Sequence, residues 1–125
     1  MNPAIVIMAK TPQLGLVKTR LQPILSERQC VEIATSFLLD AVRKSFTVTE
    51  NVFVAFSPAD RKKQMKKILS GEIKLILQEG DDLGERMRSA FLSVEKLGFS
   101  PIVMIGTDSP TLPAKFIENA VSILS

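Results

Sequence analysis

Three short segments of the chain hold most of the residues that could handle a charged small molecule. The first, KTPQLGLVKTRL at 10–21, sets Lys10, Lys18 and Arg20 beside the hydroxyls of Thr11 and Thr19. Arginine can grip a phosphate through two donors, whereas lysine contributes a compact point charge. Gly15 would let backbone come close to a ligand. The third, IGTDSPTL at 105–112, ends an apolar run in one carboxylate, Asp108. Magnesium usually takes one or two carboxylates plus substrate phosphate oxygens, so Asp108 suffices as an anchor for Mg2+ or Mn2+. An Asx-turn before Pro110 would explain the same aspartate without a metal.

The second segment, QEGDDLGERM at 78–87, is a turn running into a helix. Gly80 marks the turn and Asp82 is placed to cap the helix. Asp81 and Asp82 could ligate a metal, but turn and capping roles account for them better. Gly84 in a first helical turn costs about 1 kcal/mol against alanine, which predicts a close neighbour such as a ligand or backbone.

What is missing narrows the chemistry. The chain has no histidine, so Ser-His-Asp and Cys-His catalysis and histidine-bound metals are excluded. Carboxylates, cations, backbone amides and oxygen-bound metal remain, a set suited to phosphate-bearing substrates. Cys30 is the one cysteine, and its helical setting predicts a small buried hydrophobe. Without tryptophan or tyrosine, stacking on single-stranded nucleic acid is not expected. The net charge of +3 comes from residues 58–69, where Arg61, Lys62, Lys63, Lys66 and Lys67 face one carboxylate, Asp60. That run reads as a solvated helix face, not a nucleic-acid patch.

The elements that must position these segments follow from patterning. Apolar, β-branched runs at 4–9, 52–56, 73–78 and 102–106 predict four strands. The first and last are apolar throughout, as for strands covered on both faces. Helices are predicted between them. Ser26 and Gln29 form a capping-box pattern opening a helix to about residue 45, with Ala34, Phe37, Leu38, Ala41 and Val42 along one stripe. A second covers 59–69, with Met65, Ile68 and Leu69 inward. A third covers 83–97, burying Met87, Ala90, Phe91 and Val94, and a fourth runs from 113 to 125.

This alternation predicts an α/β domain: a Rossmann-like, three-layer parallel sheet with helices on both faces. In such sheets ligands bind outside the carboxyl ends of the strands, where all three segments fall. At 125 residues the chain reads as a single nucleotide-binding domain. It stops inside an amphipathic pattern and leaves one sheet edge open. Either a second copy or a further C-terminal half is therefore expected to cover that edge. No apolar run is long enough to span a membrane and no signal peptide is apparent, so a cytoplasmic protein is expected.

Together the motifs KTPxxGxVKTRL, QxGxxLGERM and IGTDSPTL resemble the radical-SAM/selenodomain-associated transferase family. The resemblance covers the whole chain and implies the N-terminal part of an A-type glycosyltransferase fold acting on a nucleotide-diphospho-sugar. It would place Lys10, Gly15, Lys18, Thr19 and Arg20 along the phosphates. Gln78, Gly80, Leu83 and Gly84 would lie near the base or sugar, and Asp108 would match the metal-binding aspartate. The sequence departs from a full D-x-D there, since Ser109 and Pro110 follow. The expected activity is metal-dependent glycosyl transfer from a nucleotide-sugar to an unidentified acceptor. The alternatives are a guanylyltransferase-like nucleotidyltransferase, which would take a nucleoside triphosphate and release pyrophosphate, and a nucleotide-binding protein without turnover.

Overall fold

The computed structural model describes residues 2–10, 26–69 and 73–107. Of the expectations above, Gly15, Lys18, Thr19, Arg20, Asp108 and the helix at 113–125 lie outside the described residues.

Four strands form one parallel sheet among the described residues: β1 (Ala4–Lys10), β2 (Val52–Ser57), β3 (Lys74–Leu77) and β4 (Ile102–Gly106), in the order β3-β2-β1-β4. The register runs Ile7↔Val54 and Ile7↔Ile105 across the centre. Alternation along the strands sorts their side chains onto two faces. Ile5, Ile7 and Ala9 of β1 and Val52, Val54 and Phe56 of β2 face one way. There they meet Leu38 and Val42 of α1 (Glu27–Phe46) and Met65 of α2 (Lys62–Ile68). Ala4, Val6, Phe53 and Ala55 face the other way, onto Ala90 and Val94 of α3 (Leu83–Lys96). With α1 and α2 on one face and α3 on the other, the domain is a Rossmann-like α/β sandwich, as right-handed crossovers require of this strand order.

The helix signals act as their chemistry dictates. Ser26 Oγ accepts from the Gln29 amide at 3.2 Å, and Gln29 Oε1 accepts from the Ser26 amide at 2.9 Å, so the capping box is reciprocal. Near the other end of α1, Lys44 and Arg43 bind Asp40, and the Lys44 hydrogen bond leads in holding that carboxylate below its ordinary pKa. A 3-10 turn (Ala59–Arg61) precedes α2, so the predicted single helix is two pieces. Arg61, Lys62, Lys63, Lys66 and Lys67 are all exposed around the buried Met65. Cys30 is fully buried.

The strand carrying the third segment departs from expectation. An apolar β4 was expected to be covered on both faces, yet its residues are half-buried or exposed. It is an edge strand among the described residues, paired with β1. No helix among them is long and apolar enough to cross a membrane.

The strand amino ends are tied by polar side chains. Asn51 Nδ2 donates to Asn2 Oδ1 at 3.0 Å and to the Pro3 carbonyl at 3.1 Å, and Thr49 Oγ1 donates to that carbonyl at 3.0 Å. No charged side chain takes part in these bonds. The carboxyl ends are different.

Candidate functional site

A cleft of about 450 Å³ opens at the carboxyl ends of the strands. Chain connections step outward from β1 through β2 to β3, then cross back to place β4 on the far side of β1. The order therefore reverses between β1 and β4. Open α/β sheets bind ligands at such a reversal, because the chain splays apart there instead of closing over the strand ends. The cleft lies across this point, lined by Met8, Ala9 and Lys10 of β1 and by Met104, Ile105 and Gly106 of β4. Ala34 and Leu38 of α1 wall one side, and Leu83, Arg86 and Met87 of α3 wall another.

Lys10 and Thr107 both line the cleft. They are the residues to which segments 11–25 and 108–125 are bonded, so the first and third motifs are attached at one site. Gln78 and Leu83 of the second motif line it as well. Lys10, Gln78 and Leu83 are thus brought together, while Gly80 and Gly84 stand in the turn and helix start that deliver Leu83.

The second motif is built as a tight lock. Gly80 has φ +134°, and a Cβ there would stand 2.6 Å from the Glu85 Cβ and 3.0 Å from the Arg86 nitrogen. Only glycine lets the turn fold that closely onto the first turn of α3. Asp82 Oδ1 accepts from the Glu85 amide at 2.8 Å, and Glu85 Oε2 accepts from the Asp81 amide at 2.8 Å. Asp82 is therefore the helix cap. Replacing it with alanine is expected to lower stability by about 1 kcal/mol, read as a shift in denaturation midpoint at constant slope. For Gly84 a ligand or backbone was the expected close neighbour; the one found is a side chain, the Asp82 carboxylate, 3.3 Å from where a Cβ would sit.

Gln78 is placed differently from a free ligand-facing amide. Its Nε2 donates to the Ala9 carbonyl at 3.1 Å and to the Ala55 carbonyl at 2.8 Å, and its backbone nitrogen donates to the Phe56 carbonyl at 2.9 Å. Both amide hydrogens are spent on backbone, which leaves Oε1 for a ligand. Gln78 thereby staples the ends of β1 and β2 beneath the cleft.

Met87 corrects the helical reading. Its spacing predicted burial, but it is 38% exposed and lines the cleft, because the first turns of α3 overhang the strand ends and not the sheet. Leu83, Arg86 and Met87 share this overhanging face through their i, i+3, i+4 spacing. Arg86 was missing from the candidate residues although it stands in the quoted motif. The signal was its helical alignment with Leu83. Ser57, at the end of β2, and Thr107 also line the cleft.

No carboxylate lines the cleft among the described residues. Nor do any three carboxylate, cysteine or histidine side chains there stand close enough to hold an ion. The site they form is cationic and apolar, fitted to an anion with a less polar body.

Strand order and cleft define an α/β domain of the Rossmann-like class. Within that class, the chain belongs to the family described as "Uncharacterized protein conserved in bacteria (DUF2064)", whose profile matches residues 38–125. It is similar to a Desulfovibrio desulfuricans G20 protein assigned as a nucleotide-diphospho-sugar transferase, with 26% identity and a TM-score of 0.91 over 98% of this chain and 54% of that one. It also shares its fold with a cytidylyltransferase from Leptospira borgpetersenii serovar Hardjo-bovis (strain JB197), with 19% identity and a TM-score of 0.61 over 98% and 48%. The chain spans about half the length of each. No curated protein matches it.

Proposed function

We propose that the protein is a metal-dependent transferase of the radical-SAM/selenodomain-associated kind that binds a nucleotide-diphospho-sugar in this cleft. The observation that carries the reading is the cleft at the sheet's point of reversal, with Lys10 and Thr107 in its lining. Through them the basic segment at 10–21 and Asp108 continue from adjacent strands at one site. The backbone similarity to the D. desulfuricans protein supports the same class of substrate. In the reaction, the bond between the sugar's anomeric carbon and the diphosphate breaks, one forms to the acceptor, and a nucleoside diphosphate leaves. Lys10, Lys18 and Arg20 would oppose the charge that builds on that leaving group, the largest contribution open to a chain without histidine.

The described residues supply no carboxylate to the cleft, so a Mg2+ or Mn2+ ion in this reading rests on Asp108 and the diphosphate oxygens. Such a set meets magnesium's usual requirement. The ion would supply further charge neutralisation at the diphosphate.

A second reading is nucleotidyl transfer, favoured by the fold shared with the L. borgpetersenii cytidylyltransferase. The products separate the two. Release of a nucleoside diphosphate from a nucleotide-sugar supports glycosyl transfer, and release of pyrophosphate from a triphosphate supports nucleotidyl transfer.

A thermal-shift screen of nucleotides and nucleotide-sugars, with and without magnesium or manganese, tests the proposal. A ligand at one hundred times its dissociation constant should add about 2.7 kcal/mol of stability. Asp108→Asn is expected to abolish the metal-dependent part of the shift. Lys18→Ala is expected to weaken diphosphates more than nucleosides. If no nucleotide shifts the wild-type protein, the proposal fails.

A further inference from the structure

Arg86 is the cation of the cleft that the motifs did not single out as a site residue. It lines the cavity on the same overhanging face of α3 as Leu83 and Met87. The structure shows how its guanidinium is held: Nε donates to the Gly80 carbonyl at 3.0 Å. That carbonyl is itself fixed by the tightness of the turn, since Gly80 packs where a Cβ would meet Glu85 at 2.6 Å. The neighbouring carboxylates are already engaged. Glu85 binds the Asp81 amide and Asp82 binds the Glu85 amide. Among the described residues the ion pairs are those of Asp40 with Arg43 and Lys44, and none involves Arg86.

A cation in a mostly apolar cleft, oriented by a backbone carbonyl and without a carboxylate partner among the described residues, is arranged for an external anion. We infer that Arg86 grips a phosphoryl group of the ligand. With Nε committed to Gly80, the two terminal nitrogens remain as a fork. Guanidinium forks match phosphate oxygens in pairs, and a guanidinium already oriented loses less entropy in doing so. Gly80 is then a positioning residue for Arg86, and the lock between the turn and α3 presets the grip. The inference rests on the cleft assigned above to a nucleotide, but the group it names is phosphoryl and involves neither base nor sugar.

Calorimetric titration with inorganic pyrophosphate, a nucleoside diphosphate and the matching nucleoside tests it, using wild type, Arg86→Ala and Arg86→Lys. Arg86→Ala is expected to weaken pyrophosphate and the diphosphate by about tenfold or more and to leave the nucleoside unchanged. Arg86→Lys keeps the charge but loses both the fork and the tie to Gly80. It should recover only a minor part of the affinity. Thermal melts of both variants should stay near wild type, because the lost hydrogen bond is at an exposed turn.

Equal pyrophosphate affinity in wild type and Arg86→Ala overturns the inference. Weakening of all three ligands by the same factor also overturns it, since that is the mark of a structural role. If pyrophosphate binds in an Arg86-dependent way and no nucleotide binds, the inference stands and the nucleotide reading falls. If nucleotides bind tightly and are indifferent to Arg86, the nucleotide reading stands and the inference falls. Wild type that binds neither pyrophosphate nor any nucleotide sinks both.

Discussion

Phe53→Ala is expected to destabilise the protein by about 3–5 kcal/mol, a large share of the 5–15 kcal/mol that usually holds a domain together. Phe53 is 1% exposed and heads the largest fully buried side chains. It sits in β2 on the face packed by α3, among Ala4, Val6, Ala55, Ala90 and Val94. The fully buried neighbours are mostly alanine and valine, so a lost ring would leave a cavity that only partial relaxation of the larger residues at the margin, Ile76 and Met104 among them, could reduce. Its ring also meets Phe99 edge-on at 5.4 Å and 71°, and Lys74 Nζ stands 5.2 Å from its centre and 5.1 Å from that of Phe99. Truncation therefore removes an aromatic pair and half of a cation's aromatic seat as well as packing. Phe53→Leu, which keeps much of the volume, should restore more than half of the loss. Urea unfolding measures both. Phe53 pairs with the first residue of β3, away from the strand ends that form the cleft, so ligand affinity below the melting range should not change. A loss under about 1 kcal/mol would mean that this face is not packed as described.

The second large effect is expected at Gly80. Gly80→Ala meets two obstacles: a φ of +134° and a Cβ pressed to 2.6 Å from another Cβ. Backbone strain of this kind and overpacking each cost about 1–3 kcal/mol, so a loss of about 2 kcal/mol or more is expected. Gly98→Ala separates the two contributions. Its φ is +93°, but nothing lies within 4 Å of where its Cβ would stand, so only the strain applies. Gly80→Ala should therefore destabilise clearly more than Gly98→Ala. It should also speed amide exchange at the start of α3 and weaken pyrophosphate binding, because the turn must move off Glu85 and Arg86. Equal losses at the two glycines would refute the tight lock.

Much of the framework was readable because its causes are local. Apolar, β-branched runs located β1 through β4 within a residue or two, and the Ser26–Gln29 box announced α1, since a cap is a contact between near neighbours. Asp82 was recognisable as a cap for the same reason. What local patterns could not show came from tertiary geometry. Met87 has the spacing of a core residue, and only the overhang of α3 puts it in the cleft. Gln78 binds carbonyls 69 and 23 residues away, partners that no local pattern reveals. β4 is apolar enough for an interior strand, but its place at the edge depends on strand order. The candidate site was legible as a set of motifs and their rim. Arg86 was not, because its value lies in which carbonyl its Nε meets.

The Gln78 staple has an electrostatic consequence. Carbonyl oxygens at strand ends present the negative poles of their dipoles, which would repel an approaching phosphate. By capping the oxygens of Ala9 and Ala55 with both amide hydrogens, Gln78 quenches two of those poles beneath the cavity. The floor is left closer to neutral, so the field of Lys10 and Arg86 reaches an incoming anion with less opposition.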